Sequence, residues 1–198
     1  MVENNIEYSL LAHQIEHEKT LSRLYKSYSE LFPEEEIWEK LEKEEKKHAA
    51  WIQQIISKIC DETVYFNNDP ECCENIKKSL SVMSDEISKA KNNEIDLMHA
   101  FKIAIEIEES MVEREFFKSM DSDAPFVGDV LKNIIRDTEM HRDSLIQAKN
   151  IFLKSIGLNE INRPKVEEKN TKEKLKSDDN IVPYKKIDLD RELDSAEE

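Results

Sequence analysis

Two polar residues interrupt the apolar face of the helix predicted around residues 42–55. With 3.6 residues per turn, Glu45 and His48 lie on one face, about one turn apart. On a helical wheel centred on Leu41, the other members of this face, all within roughly 40°, are Ile37, Ile52, Ile55 and Ile59. Burying a carboxylate and an imidazole without partners costs several kcal/mol, so the fold must supply partners. A metal ion satisfies both groups; a buried Glu–His hydrogen bond, or a helix that rotates outward here, is the alternative.

The composition favours long helices. The 198 residues include only two Gly and five Pro, and 37% are charged, which leaves little turn chemistry for a β protein. A hydrophobic fraction of 38% can build a core, and the length fits one domain with an extension. We therefore predict an all-α domain over residues 1–158. Residues 159–198 are highly charged and have few apolar side chains, so we predict a mostly disordered tail.

The charge and the terminal sequence exclude several classes of partner. A net charge of −15 argues against nucleic acids and anionic membranes, since both bind basic surfaces. No segment approaches the roughly 20 apolar residues of a membrane span, and the start, MVENNIEYS, lacks the apolar core of a signal peptide. We therefore expect a cytoplasmic protein. Cys60, Cys72 and Cys73 form no C-x-x-C pair, which excludes a rubredoxin-like iron site and predicts free thiols in a loop.

Apolar spacing predicts four main helices, at about residues 6–31, 34–59, 93–120 and 127–156. Pro33 suits a helix start, and the short connection before it predicts an antiparallel pair. A polar segment, residues 61–74, separates the chain into two halves. The weaker helical pattern of residues 76–90 predicts a crossover element between them.

Both halves repeat one arrangement of polar residues. Each has a helix with an inward carboxylate and an aromatic residue about two turns later, followed by a helix with an inward histidine. The first half supplies Glu18, Tyr25, Glu45 and His48; the second supplies Glu109 or Glu108, Phe116, Thr138 or Asp137, and His141. Such a duplication is harder to obtain by chance than one Glu-x-x-His. His13 and His17 lie at the edge of the apolar stripe and are predicted to be boundary residues rather than ligands.

This arrangement resembles the ferritin-like, rubrerythrin-like di-iron carboxylate proteins over about residues 6–152. The strongest part of the resemblance is PEEEIWEKLEKEEKKHAAWI. In that family, two helices contribute Glu and two contribute Glu-x-x-His to hold a pair of iron ions. The resemblance implies a ferritin-like four-helix bundle built of two helix hairpins with a long crossover.

The resemblance also implies a ligand set. Glu18, Glu45 and His48 match the first half-site, and Glu109 or Glu108 with His141 match the second. Thr138 stands where the family has a ligating Glu. Asp137, Glu108 or water would have to replace that ligand, so the implied cofactor is iron, as two ions or one.

The implied chemistry is Fe(II) oxidation or peroxide reduction, with O₂ or peroxide as the oxidant. Tyr25 would order a carboxylate or quench a radical. The chain has no rubredoxin module, so an electron donor would be another protein, and exposed helix faces suggest a homodimer. The alternative is a non-enzymatic helical interaction protein with a vestigial metal site, whose internal polar groups are satisfied by hydrogen bonds; Thr138 favours it.

Overall fold

The computed structural model describes residues 3–59, 64–66, 70–110, 120–122 and 125–157, with side chains for residues 11–57, 74–110 and 125–157. The helices are α1 (Glu3–Leu31), α2 (Ile37–Ile59), α3 (Pro70–Lys91), α4 (Leu97–Glu108) and α5 (Pro125–Ser155). Two three-residue strands, β1 (Val64–Phe66) and β2 (Met120–Ser122), pair antiparallel. The predicted all-α class is confirmed. Phe116, Cys60 and the predicted tail from residue 159 lie outside the described residues.

Helix contacts connect the two halves of the chain. Helix α1 lies against both α2 and α3, α2 also lies against α5, and α5 packs on α4. The contact between α2 and α5 is the one that places the two predicted histidine helices side by side. None of the described helices has the length and apolar character needed to cross a membrane.

An aromatic cluster fills the core where α1, α2 and α4 meet. The ring of Trp38 lies 6.0 Å from that of Tyr25, 5.2 Å from that of Tyr28 and 5.0 Å from that of Phe101, measured between centroids. All four side chains are fully buried. Because aromatic side chains each bury a large apolar area, this cluster is a major source of hydrophobic stabilisation for the fold.

The third predicted helix is shorter than expected. It was predicted over residues 93–120, but α4 covers only Leu97–Glu108. Asn93 has a φ of 55°, a left-handed conformation that cannot continue a helix, and the Asp96 side chain accepts a hydrogen bond from the His99 backbone N–H and caps α4. Met120 lies in β2 rather than in a helix. The apolar repeat of 3.6 residues continues across Asn93 and Asp96, so periodicity alone predicted a helix that begins too early.

Other boundaries also differ from the prediction. Helix α3 begins at Pro70, so Cys72 and Cys73 lie in its first turn and not in a loop. Proline fits this position because a first-turn N–H has no helical partner. Pro33 instead lies in a turn, four residues before α2 begins at Ile37.

His17 is fully buried and does not lie at the edge of the apolar face, as was predicted. Helix α3 covers that side of α1, and Ser79 Oγ lies 2.9 Å from the imidazole Nε2.

Candidate metal centre

Helices α2 and α5 present the same spacing of inward side chains. On each helix, two apolar residues flank a polar residue and a histidine. The buried series are Leu41, Glu45, His48 and Ile52 on α2, and Ile134, Thr138, His141 and Leu145 on α5. Since residues three and four apart share a helix face, both histidines point into the interface between the helices. Their rings stack with centroids 5.4 Å apart.

The first cluster of ligand atoms belongs to Glu18, Glu45 and His48. These atoms lie within 4.8 Å of one another, and all three side chains are buried. His48 Nδ1 donates a hydrogen bond to Glu45 Oε2 at 2.9 Å and lies 3.6 Å from Glu18 Oε2. Gln14, one turn before Glu18 on α1, donates from Nε2 to Glu18 Oε1 at 2.6 Å and holds that carboxylate in place.

The second cluster belongs to Glu45, Glu108 and His141. Its ligand atoms also lie within 4.8 Å of one another in buried positions. His141 Nδ1 lies 2.9 Å from Glu45 Oε1 and 3.7 Å from Glu108 Oε1. Glu45 therefore belongs to both clusters, with one carboxylate oxygen towards each histidine. Tyr25 donates from Oη to Glu108 Oε1 at 2.6 Å.

The structure distinguishes between the sequence alternatives for these positions. Glu108 is buried at the end of α4, whereas Glu109 is exposed. Thr138 is buried one turn before His141 and offers no carboxylate. Among the described residues, neither Glu109 nor Asp137 belongs to a cluster.

Two further carboxylates face the outer nitrogens of the histidines, one at hydrogen-bond distance and one farther away. Glu44 Oε2 lies 2.8 Å from His141 Nε2, and Asp137 Oδ2 lies 3.8 Å from His48 Nε2. Each acid sits four residues before the histidine of its own helix and reaches the histidine of the other helix. Such outer contacts fix the ring orientation and the tautomer of a metal-ligating histidine.

Sequence reasoning missed Glu44 and Gln14. The sequence does contain a signal for Glu44: an acid stands four residues before the histidine on both helices, Glu44 before His48 and Asp137 before His141. Gln14 had no comparable signal. An uncharged residue one turn from Glu18 is common in helices, and only the buried contact shows its role.

The surrounding acids raise the pKa of both histidines and so favour the imidazolium forms. Burial lowers the pKa of His48, but the carboxylates of Glu45, Asp137 and Glu18 outweigh it and hold that pKa well above its usual value. Burial acts the same way on His141, and its acidic neighbours again hold the pKa far above the usual value.

The buried acids differ in charge. Burial raises the pKa of Glu18 to about 7 and also raises the pKa of Glu108. Burial would likewise raise the pKa of Glu45, but the two imidazolium rings beside it hold that pKa well below its usual range. Positive charge between the helices is therefore what keeps Glu45 ionised.

The donor set fits a metal ion. Among the described residues, three buried polar atoms on the inner side of the two clusters make no well-formed hydrogen bond: Glu18 Oε2, Glu45 Oε1 and His141 Nδ1, the last two lying 2.9 Å apart. Folded proteins satisfy nearly all buried polar atoms, so this concentration calls for a partner. A divalent cation satisfies carboxylate and imidazole lone pairs together, and carboxylates with imidazoles suit iron, manganese and zinc.

Comparison with known proteins adds no identification. No protein-family model matches the chain, and neither a curated protein nor a solved structure gives a significant match. The functional argument therefore depends on the residues and their geometry.

Proposed function

We propose that this protein is a ferritin-like four-helix bundle that binds iron, as two ions or one, between α1, α2, α4 and α5. The observation that carries the proposal is the pair of buried Glu/His clusters that share Glu45. A carboxylate with one oxygen towards each cluster is the arrangement expected of a bridging ligand. Helix α3 would be the long crossover between the two hairpins.

The proposed activity is oxidation of Fe(II) or reduction of peroxide, with O₂ or peroxide as the oxidant and a separate protein as the electron donor. Bound iron would supply the one-electron steps. Glu18, Glu45, Glu108, His48 and His141 would hold it, and metal binding requires both imidazoles to lose their ligand-side protons. Tyr25 fixes the Glu108 carboxylate through its 2.6 Å hydrogen bond. The apolar side chains that flank the two histidines along α2 and α5, Leu41, Ile52, Ile134 and Leu145, are buried.

Anaerobic addition of Fe(II) while following the melting temperature tests the proposal. Because a ligand that binds only the folded state stabilises it, a concentration of 100 times Kd raises the free energy of unfolding by about 2.7 kcal/mol. We expect a rise for the wild type and no rise for Glu45→Gln. Metal analysis after removal of excess iron gives the ions per chain.

Glu39→Gln is the matched control for that experiment. Glu39 lies on the same helix but is exposed and bonded to Lys43. The variant removes a carboxylate from α2 without touching either cluster, so it should bind iron like the wild type. Absence of any iron-dependent stabilisation in the wild type would overturn the proposal.

One observation favours the second candidate, a non-enzymatic helical interaction protein. His48 and His141 already contact carboxylates at 2.9 Å, so the interior can balance its charges with protons. The candidate predicts that the metal-free protein is as stable as the iron-treated one. The titration above decides between the two.

A further inference from the structure

Gln14 is a buried amide whose side chain makes one hydrogen bond among the described residues, and that bond goes to a candidate iron ligand. The side chain is fully buried, and Nε2 donates to Glu18 Oε1 at 2.6 Å. The carbonyl oxygen of Gln14, Oε1, is buried without a hydrogen-bond partner among those residues. Because a buried carbonyl left unpaired destabilises a fold, the contact with Glu18 is what the amide contributes to this part of the core.

The amide takes one orientation beside this carboxylate. Gln14 and Glu18 are four residues apart on α1, so their side chains lie on the same helix face, one turn apart. A metal-bound carboxylate is ionised and only accepts hydrogen bonds, so the NH₂ group of Gln14 must face it and the carbonyl must face away. The hydrogen bond therefore fixes which oxygen of Glu18 is engaged.

The two oxygens of Glu18 are not equivalent as a result. Gln14 engages Oε1, whereas Oε2 makes no well-formed hydrogen bond. Oε2 lies 3.6 Å from His48 Nδ1, on the side of the first cluster. The oxygen that faces the cluster is the one that the amide leaves available.

The corresponding acid of the second cluster has the opposite arrangement. Tyr25 donates to Glu108 Oε1, and this same oxygen lies 3.7 Å from His141 Nδ1. The hydrogen bond to Glu108 thus occupies an oxygen that faces its cluster. Only Glu18 has its hydrogen bond on one oxygen and its cluster on the other.

We propose that Gln14 is a positioning residue that presents Glu18 to the centre through Oε2 alone and so strengthens the first half-site. The inference rests on the proposed iron function. A glutamate that is already ordered loses less rotamer freedom when it binds an ion, which favours binding. Carboxylates bind cations through one oxygen or through both, and binding through one leaves more coordination positions open for other ligands.

The first test compares the Fe(II) affinity of the wild type with that of Gln14→Met, which keeps a long unbranched side chain and removes the amide. Loss of an outer partner of a metal ligand reduces metal affinity by about 10–100-fold, and for a neutral amide we expect about 10-fold. The decrease should affect the more tightly bound ion, beside Glu18, and leave the other ion unchanged. Anaerobic calorimetric titration measures the two steps.

The second test uses Co(II), which takes carboxylate and imidazole ligands as Fe(II) does and absorbs visible light more strongly when it has fewer ligands. In Gln14→Met, Glu18 Oε1 is free to bind as well, so the number of ligands rises and the absorption per bound Co(II) should fall. A residue that only supported the fold would leave the absorption per bound ion unchanged.

Gln147→Met is the matched control, because Gln147 is exposed on α5. Removal of its amide should leave both the affinity and the absorption at their wild-type values. A crystal structure of the wild type with one equivalent of Co(II) needs no variant. In it, Glu18 Oε2 should bind the ion while Oε1 stays within hydrogen-bond distance of Gln14 Nε2.

The outcomes separate the role of Gln14 from the iron function. A wild type that binds neither Fe(II) nor Co(II) overturns both. Metal that binds the wild type and Gln14→Met with the same affinities and the same absorption overturns the role of Gln14 alone. A crystal structure in which both oxygens of Glu18 bind the ion also overturns it, and that structure decides if circular dichroism shows that Gln14→Met does not fold.

Discussion

The two half-sites differ in where their carboxylates come from. The first has Glu45 and His48 on one helix, with Glu18 across from them on α1. The second has His141 on α5 but Thr138 in the position that corresponds to Glu45, so it uses the same Glu45 from α2 together with Glu108. The first half-site therefore has a glutamate on the same helix as its histidine. The second half-site has none and needs Glu45 from the other side of the interface between α2 and α5.

This difference makes Glu45 the residue on which both half-sites depend. It is also the acid whose charge both histidines stabilise, whereas burial keeps the pKa of Glu18 and Glu108 above the usual value. If iron binds, a first ion should occupy the Glu18 side more tightly than a second occupies the Glu108 side. Unequal stepwise affinities are what the loss of one carboxylate would produce.

The largest expected effect is that of Glu45→Gln on the metal-free protein. The change leaves His48 and His141 without the acid that both of them contact at 2.9 Å. Removing one partner of a buried ion pair costs about 3–5 kcal/mol. Urea unfolding should show this decrease. Glu39→Gln, on the exposed face of the same helix, should unfold like the wild type; equal stability of both variants would show that the clusters do not depend on Glu45.

Thr138→Glu would remove the difference between the half-sites. In an iron-binding protein, the new carboxylate completes a second Glu-x-x-His and should raise the bound iron per chain or the rate of Fe(II) oxidation. In a protein that binds no metal, it buries an unpaired carboxylate beside Ile134 and Leu145, which should cost about 3 kcal/mol. Melting temperatures along an Fe(II) titration show which occurs.

Thr138→Gln is the matched control, since glutamine has the size of glutamate without its charge. An iron-dependent gain in the Glu variant and none in the Gln variant would attribute the effect to the carboxylate. Loss of stability in the Glu variant at every iron level would favour the interaction protein over the enzyme.

Helical periodicity was sufficient to predict the all-α class and the burial of Glu18, Glu45, His48 and His141, since apolar residues at i, i+3, i+4 and i+7 define a face. It could not choose between Glu108 and Glu109, which flank the centre of the stripe by similar angles. The choice depends on how α4 is rotated about its axis. That rotation is set by the packing of Phe101, on α4, against Trp38, on α2.

Local backbone chemistry limited the rest of the prediction. The α4 boundary depends on Asp96 as a cap and on the left-handed Asn93, and both act at a single residue, so an average over a window misses them. Burial of His17 depends on α3, which the weak pattern of residues 76–90 did not place against α1. Contacts between helices that are distant in sequence leave little trace in the periodicity of either helix.

The smallest expected effects concern the two outer carboxylates, and they compare the half-sites most directly. Glu44 contacts His141 at 2.8 Å, whereas Asp137 lies 3.8 Å from His48, beyond hydrogen-bond distance. Loss of an outer partner of a metal-ligating histidine reduces metal affinity by about 10–100-fold. Because both acids are partly exposed, we expect Glu44→Gln to reduce the affinity for the more weakly bound ion by about 10-fold. We expect Asp137→Asn to reduce the affinity for the more tightly bound ion by less than that. Calorimetric Fe(II) titration under anaerobic conditions resolves the two steps. A larger loss with Asp137→Asn would mean that Asp137 is itself a ligand, as one of the sequence alternatives holds, and that the two half-sites are more alike than the metal-free geometry indicates.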